Sequence, residues 1–474
     1  MTDRLVPQKK WSDAELTALL ERFPGRRLSP ALLRAMTRGW SVPASDVVEW
    51  RGAAPRRARR RVLAADFPGV TLVVPAGRPA VRTNDLPFAY RPGTDHMWLA
   101  GPTEPGSVLV LGPDGEETLY VAEQPALGHP NAVLDVHGPL IEGPLETCAA
   151  TAVRLGVETR PIGELGKRLR GTAAKTVRGL DPHVDALVAD DGRELEKQLA
   201  RRRLYKDAYE IAQLRHTADV TVEGFAAVAR ALPDAVRHGQ AFVEGVFAQH
   251  ARTHGRGLAF TPIVGSGHQA TILHWQRNDQ RIGPGDLLLL DAGVEGPELY
   301  ASDVARTMPV SGRYTSAQRD VHDIVHAAHQ AALAAARPGG SFTDPHQAAQ
   351  RVLADGLHSL GVLPHPAFDG LAAGERSWRW TLHVTSHMLG ADVHDSLVVA
   401  GEYTAGTLEP GHVLAVEPGL YFSPFDDYVP EHLRGIGVRI EDNVVVEDNG
   451  IEVLTAALPT SATGIEDWIA DHAR

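Results

Sequence analysis

The chain has almost no cysteine, since Cys148 is the only one among its 474 residues. A single cysteine excludes an intrachain disulfide framework and a cysteine-rich zinc module, and it suits a reducing compartment. Basic residues are also in the minority, and the formal net charge of −12 argues against nucleic acid or an anionic membrane as the main partner. What remains is a globular composition, with 43% hydrophobic residues, enough for a sizeable core.

Long apolar runs are absent as well. No stretch approaches the ~18–20 consecutive apolar residues of a membrane span. The N-terminal stretch MTDRLVPQKKW carries basic residues, but no apolar run of signal-peptide length follows it. We therefore expect neither export nor membrane insertion, and we predict a cytoplasmic location.

Histidine and carboxylate side chains are plentiful in the C-terminal part. Of the 22 histidines, 18 follow residue 200. An acidic, cysteine-free and histidine-bearing segment favours oxygen and nitrogen ligation of a metal.

The predicted elements divide the chain into a helical extension (1–50), an α/β domain (51–200) and an α+β domain (201–474). Ser12 and Glu15 form a capping-box pattern ahead of the helical run LTALLERF. In the α/β domain, Pro113-Asp114-Gly115 indicates a hairpin within residues 107–123. The highly charged segment 189–207 joins this domain to the next.

Five arginines lie close together near the start of the α/β domain: Arg56, Arg57, Arg59, Arg60 and Arg61. Such a cluster suits either an anion site or a solvated helix face. Because the acidic balance of the chain opposes polyanion binding, we favour the solvated face.

The C-terminal domain contains a repeat. The stretch GPGDLLLLDAG (283–293) matches EPGHVLAVEPG (409–419), which places Asp291 on Glu417 at a constant offset. In each half, two predicted helices precede a strand pair. This common order predicts an internally duplicated domain with a pseudo-two-fold core.

Each strand pair carries two carboxylates. Asp291 and Asp303 are symmetric about Pro297, and Glu417 and Glu441 are symmetric about Val429. Hairpins centred there would set the members of each pair directly opposite one another. Opposed like charges in apolar strands are costly, so a cation or protonation must offset them.

Imidazoles come from the stretch LHVTSHMLGADVHD, which carries His383, His387 and His394. Four carboxylates and one imidazole suit two divalent ions, Mn²⁺ first, with Co²⁺ or Zn²⁺ as the alternatives. Such paired ions hold a bridging hydroxide that is nucleophilic at neutral pH.

These motifs resemble the pita-bread metallopeptidases, and within them the aminopeptidase P (Xaa-Pro aminopeptidase) group. The resemblance rests on TPIVGSGHQATILHW (261–275), LLLLDAGVEGPELYASDVARTMPVSG (287–312), HVTSHMLGADVHD (383–395), LEPGHVLAVEPGLY (408–421) and RGIGVRIEDNVVV (434–446). An upstream stretch, RTNDLPFAYRPGTDHMWLAGPTEPGSVLVL (82–111), is similar to that group's N-terminal domain. The resemblance implies an α/β domain followed by a duplicated α+β pita-bread domain.

The resemblance also implies a role for each site residue. The metal ligands would be Asp291, Asp303, His387, Glu417 and Glu441. Asp303 and Glu441 would bridge the two ions, and Glu417 would also take the proton of the attacking water. The remaining catalytic candidates are His383, His394 and His274, and the substrate-binding candidates are Phe260, His383, Tyr421 and Arg439. Tyr421 is expected as an aromatic wall for a proline ring.

Three positions depart from the family pattern without removing a ligand. Val384 and Ser302 stand where many relatives have glycine, and Phe260 stands where a tyrosine is common. The preference for the substrate's first residue is therefore left open.

The activity implied is hydrolysis of the N-terminal Xaa-Pro bond of peptides with proline at the second position, by a metal-bridged hydroxide. A prolidase acting on Xaa-Pro dipeptides is the alternative, and a metal-free pita-bread module that binds peptides or proteins is the alternative from a different class. Neither nucleic acid nor a membrane is an expected partner. The family resemblance further implies a homo-oligomer, either a dimer or a tetramer.

Overall fold

The computed structural model describes residues 4–5, 9–23, 25, 27–42, 46–135 and 137–472. The chain divides into two compact units between Glu196 and Lys197, inside the charged segment 189–207. Among the described residues, no helix is both long enough and apolar enough to cross a membrane.

The first unit is an α/β structure. Its helices are α1 (Asp13–Glu21), α2 (Pro30–Met36), α3 (Ala53–Asp66), α4 (Thr94–Leu99), α5 (Asn131–Leu134), α6 (Cys148–Leu155), α7 (Leu165–Leu169), α8 (Pro182–Leu187) and α9 (Arg193–Leu204), in which the division falls. Its strands are β1 (Arg4–Leu5), β2 (Ser41–Val42), β3 (Thr71–Pro75), β4 (Val81–Thr83), β5 (Leu86–Pro87), β6 (Val108–Leu111), β7 (Glu117–Val121), β8 (Glu158–Pro161) and β9 (Ala174–Thr176). Five of them form a mixed sheet in the order β8-β7-β6-β3-β9.

Two local predictions for this unit are confirmed. Ser12 caps α1 with a complete capping box to Glu15. Strands β6 and β7 form the predicted hairpin, with Leu111 opposite Glu117 on either side of the Pro113-Asp114-Gly115 turn.

The arginine cluster is not a solvated face, and that interpretation was wrong. Arg56, Arg59 and Arg60 on α3 are buried, at 0%, 6% and 0% exposure. They donate hydrogen bonds to the carbonyl oxygens of Met97, Trp98 and Leu99, respectively, at the C-terminal end of α4. Carbonyls at the end of a helix lack a full set of partners within it, and the Met97 carbonyl accepts from the Gly101 N–H, just beyond α4. The guanidinium groups supply further donors there and interact favourably with the negative end of the helix dipole.

The second unit is an α+β structure. Its helices are α10 (Ala208–His238), α11 (Gln240–His254), α12 (Ser316–Ala335), α13 (Asp344–Ser359), α14 (Ala373–Arg376), α15 (Trp378–Thr381), α16 (Ala400–Thr404) and α17 (Ala462–His472). Its strands are β10 (Gly257–Leu258), β11 (Ile263–Ser266), β12 (Leu287–Ala292), β13 (Val294–Glu295), β14 (Val304–Pro309), β15 (Ser386–Met388), β16 (Val413–Val416), β17 (Gly419–Tyr421), β18 (Gly437–Arg439), β19 (Asp442–Glu447) and β20 (Gly450–Val453).

The predicted duplication is visible in these elements. In the first half, α10 and α11 precede a sheet of order β11-β12-β14. In the second half, α12 and α13 precede a sheet of order β15-β16-β19-β20. The halves meet at a β-bridge between Ala305 and Glu441, and one continuous apolar core includes residues of both. The carboxylate-bearing strands therefore come together at the centre of the unit.

Candidate metal centre

The first carboxylate pair is diagonal across its ladder and not directly opposed. Asp291 on β12 lies opposite Ala305 on β14, so the predicted pairing with Asp303 was wrong. The turn is centred on Glu298, with Gly296 N–H bonded to the Tyr300 carbonyl and Leu299 at a φ of 68°. Since side chains alternate along a strand, Asp303 still shares a face with Ala305 and hence with Asp291.

The second pair keeps the predicted register about Val429. Val416 lies opposite Asp442 and Gly419 lies opposite Arg439, and Glu417 and Glu441 fall between these two pairs. The ladder opens at the carboxylates: Glu417 N–H donates to the Thr385 carbonyl and Glu441 N–H to that of Ala305. A Glu441 oxygen lies within 4.8 Å of ligand atoms of Asp291 and Asp303 in the first half, and Glu417 and Glu441 both lie within that distance of His387.

His387 on β15 completes the cluster. Its Nε2 lies 3.5 Å from Asp303 Oδ2, 3.8 Å from Glu417 Oε1 and 4.0 Å from Glu441 Oε1. Ligand atoms of Asp291, Asp303 and Glu441 also lie within 4.8 Å of one another. The structure thus brings all five predicted ligands together, with Asp303 and Glu441 placed between Asp291 and His387.

The donor set fits divalent cations. Asp291 Oδ1 and Glu441 Oε2 are buried and make no hydrogen bond with the described residues. Burial raises the pKa of Asp291 to about 8 and that of Glu417 to about 7, and burial beside the other carboxylates raises the pKa of Glu441 well above its usual range. Burial lowers the pKa of His387, but Asp303 and Glu417 outweigh it and the pKa rises to about 9. The four carboxylates outnumber the two cationic groups beside them, Arg439 and His387, and hard or borderline metal ions would supply further positive charge.

Arg439 on β18 ties the cluster to the aromatic candidate Tyr421. Its Nη1 donates to Asp291 Oδ2, and its Nε donates to the Tyr421 hydroxyl at 2.8 Å. The same hydroxyl lies 2.9 Å from His383 Nε2. Burial lowers the pKa of His383 to about 3, so its imidazole is neutral at neutral pH. The Tyr421 ring is only 3% exposed and packs with Ile263 and Trp275.

The other substrate candidates lie around these residues. The rings of His394 and His387 are 4.5 Å apart, and a nitrogen of His394 lies within 4.8 Å of ligand atoms of Asp303 and His387. His274 keeps part of its surface in contact with solvent; partial desolvation and the positive charge of Arg439 lower its pKa. Phe260 is half-buried beside Gly293, at the end of the strand that carries Asp291.

Sequence reasoning missed two sets of residues that support the cluster. His346 on α13 contacts Thr385 through Nδ1, and the Thr385 carbonyl accepts the Glu417 N–H. Asn443 contacts the backbone of Asp303. Asn443 follows Glu441 by two residues, so its place on the same strand face was the one available signal. No comparable signal points to His346.

The comparisons with known proteins define the class. Residues 212–448 match the model of metallopeptidase family M24, and residues 56–131 match the aminopeptidase P N-terminal domain. Together with the duplicated fold, these matches establish a metallopeptidase of the pita-bread type.

Relatives narrow the class further. Xaa-Pro aminopeptidase 1 of Streptomyces coelicolor is 40% identical over 94% of this chain and 93% of its own, and the Xaa-Pro aminopeptidase of Escherichia coli is 32% identical over 87% and 96%. The solved structure of zinc-substituted E. coli aminopeptidase P in complex with product has a TM-score of 0.80 at 30% identity, covering 90% of this chain and 100% of that one. The chain belongs to the Xaa-Pro aminopeptidase family, and it is an enzyme of that family.

Proposed function

We propose that this enzyme is a dinuclear metal-dependent exopeptidase that releases the first residue of peptides with proline at the second position. The observation that carries the proposal is the convergence of Asp291, Asp303, His387, Glu417 and Glu441. When ionised, their four carboxylates carry four negative charges, which two divalent ions would neutralise. Mn²⁺ is the first candidate, and Co²⁺ and Zn²⁺ also accept this mixture of oxygen and nitrogen ligands.

The positions of the side chains support the ligand roles that the family resemblance implies. Asp303 and Glu441 are central and would serve both ions, Asp291 would complete one site, and His387 and Glu417 would complete the other. When bound, two such ions would lower the pKa of a shared water, so that hydroxide is available at neutral pH.

The protein's own groups would handle protons and orientation. Glu417 lies among the ligands, with its Oε1 3.8 Å from His387 Nε2, so its carboxylate is placed to accept the proton of the attacking water. Arg439 would fix the orientation of Asp291 through its hydrogen bond to Oδ2. His383, His394 and His274 would hydrogen-bond the scissile carbonyl or assist proton movement, and Phe260 and Tyr421 would contact the substrate's apolar parts.

A peptide panel tests the reaction. Metal-reconstituted enzyme is assayed with Xaa-Pro-Yaa tripeptides and Xaa-Pro dipeptides, each with Mn²⁺, Co²⁺ and Zn²⁺. Release of free Xaa from the tripeptides supports the proposal. Cleavage confined to dipeptides would identify a prolidase, and no cleavage of either with stoichiometric metal bound would refute both.

Two variants test the roles. Glu417→Ala is expected to abolish turnover, whereas His383→Ala should slow turnover and leave metal content unchanged by mass spectrometry. Loss of both metals from His383→Ala would contradict its assignment to the substrate side. We also propose a cytoplasmic homo-oligomer, which light scattering and cell fractionation would check.

A further inference from the structure

Asn443 holds the backbone of Asp303 from the opposite half of the domain. Its Nδ2 donates to the Asp303 carbonyl, and its Oδ1 accepts from the Asp303 N–H at 3.2 Å. The same Oδ1 accepts from the Ser302 hydroxyl at 2.9 Å. Asn443 is 1% exposed and Ser302 is 0% exposed, so water does not compete for these bonds. The orientation of the amide is unambiguous, because the carbonyl can only accept and the N–H can only donate.

The position of Asp303 explains why it needs such a partner. Backbone N–H and C=O groups of successive residues in an antiparallel strand point to opposite sides. The Ser302 N–H bonds the Val294 carbonyl, whereas the Ala305 carbonyl bonds the Glu441 N–H. The Asp303 groups therefore point away from β12 and towards the strand of Glu441 and Asn443, as those of Ala305 do. The side-chain amide of Asn443 offers a donor and an acceptor side by side, as the backbone of a neighbouring strand would.

The other three carboxylates are held differently. Asp291 lies within the ladder opposite Ala305. Glu417 and Glu441 each donate their N–H to a backbone carbonyl, those of Thr385 and Ala305. Among the four, Asp303 is the one whose N–H donates to a side chain, so its position depends on a residue that can be substituted without altering the backbone.

We infer that Asn443 is the positioning residue for Asp303, and that Ser302 fixes the Asn443 amide in the required orientation. The inference rests on the proposed function, in which Asp303 is a ligand shared by both ions. A shared ligand tolerates little displacement, because a shift that favours one ion lengthens the contact to the other. The amide would therefore set the affinity of the site for metal.

Isothermal titration of apo-protein with Co²⁺, followed by the visible Co²⁺ spectrum, tests this inference without an activity assay. Asn443→Ala should weaken Co²⁺ binding about 10–100-fold, as the loss of an outer hydrogen-bond partner does at other metal sites. Ser302→Ala should weaken it about threefold, the effect of a single hydrogen bond. The double variant should match Asn443→Ala, because Ser302 acts through Asn443.

Asn278 provides the matched control. It is also 1% exposed, and its side chain makes three hydrogen bonds, with Val264 N–H, the Pro262 carbonyl and Glu244, none of them to the five ligands. Asn278→Ala should lower thermal stability at least as much as Asn443→Ala but leave Co²⁺ affinity within about twofold of the wild type. Equal weakening in both variants would overturn the inference, since it would reflect general destabilisation.

Two further results separate the inference from the proposed function. Asp303→Asn should lose most Co²⁺ binding; if it binds as the wild type does, the ligand set itself is wrong. If Asp303→Asn loses binding and Asn443→Ala does not, the positioning role alone is refuted. Should Asn443→Ala fail to fold, Ser302→Ala decides, and unchanged Co²⁺ affinity in that variant refutes the role.

Discussion

His383 Nε2 and the Tyr421 hydroxyl lie 2.9 Å apart, and the direction of that hydrogen bond follows from its neighbours. Arg439 Nε can only donate, so the Tyr421 oxygen accepts from it and its own proton is free for His383. The other imidazole nitrogen, Nδ1, lies 2.9 Å from the Val384 carbonyl and must carry a proton to bond it. His383 is therefore a neutral imidazole protonated at Nδ1.

Tyr421→Phe removes the hydroxyl that links Arg439 to His383. The variant should reduce kcat/KM about tenfold or more on an Xaa-Pro-Yaa peptide, because His383 and Arg439 both lose a hydrogen-bond partner. The buried Arg439 Nε is left without a hydrogen-bond acceptor, so the free energy of unfolding measured in urea should fall by about 1–3 kcal/mol. Tyr300→Phe is the control: Tyr300 is equally buried, but its hydroxyl bonds Glu210. That variant should lose stability and keep its kcat/KM; equal activity losses in both would contradict the role of Tyr421.

Metal removal should make the stability depend on pH. The pKa of Asp291 is raised to about 8 and that of Glu417 to about 7 in the metal-free protein. A carboxyl group whose pKa is raised by folding binds its proton more tightly in the folded state, so its contribution to stability is greatest below about pH 4 and is lost as the pH rises towards 8. Metal ions replace those protons and remove the penalty.

The difference in Tm between Mn²⁺-loaded and chelator-treated protein should therefore be larger at about pH 8 than at about pH 5.5. Differential scanning calorimetry at constant ionic strength measures it. Titratable groups outside the site behave alike in the metal-loaded and metal-free proteins, so their contributions cancel in the difference in Tm. A pH-independent difference would contradict the assignment of these carboxylates to the metal site.

A buried ion pair anchors the loop that carries His394. Asp395 accepts from Lys206 Nζ at 3.2 Å and from Arg203 Nε at 3.1 Å, and Asp395 and Lys206 are nearly inaccessible to water. Lys206→Met leaves a buried carboxylate with one cationic partner. We expect the free energy of unfolding measured in urea to fall by about 2–4 kcal/mol. Arg201→Ala, which removes an exposed pair with Glu402, should cost under about 1 kcal/mol. Similar losses in both variants would show that burial does not govern this pair.

The arginines of α3 give a prediction for the first unit. Arg56→Met removes donors to the carbonyls of Met97 and Gly52 and should destabilise this unit by about 1–3 kcal/mol. Arg61 on the same helix is exposed, and Arg61→Ala should lie within about 0.5 kcal/mol of the wild type. Limited proteolysis and urea unfolding distinguish the two. An unchanged Arg56→Met protein would mean that the remaining donors, the Gly101 N–H among them, satisfy the end of α4 without Arg56.

Much of the second unit is predictable from local pattern. The repeat between 283–293 and 409–419, with two helices ahead of each strand pair, is sufficient to predict the two halves and the place of their carboxylates. Helix periodicity and the capping signals are local, so they survive in any tertiary context. The four helices ahead of the strand pairs, which the pattern predicts at about 208–232, 239–254, 316–336 and 344–360, are observed as α10 to α13.

Register is a different matter, because it depends on how a turn closes. Symmetry about Pro297 predicts direct opposition, but Leu299 takes a positive φ and the turn centres one residue later. Asp291 and Asp303 thereby become diagonal neighbours on one face, which leaves more space between their carboxylates than a directly opposed pair has. The longer loop about Val429 keeps the predicted register.

The sequence by itself determined which chemistry is available: carboxylates and imidazoles at spacings that set them on strands, in two related halves. Tertiary structure decided which groups meet. Three sets of contacts join residues 39 or more positions apart in the chain. They are those of the α3 arginines with the end of α4, of Asn443 with Asp303, and of His346 with Thr385. Such contacts depend on how whole elements pack, and no local periodicity encodes that packing.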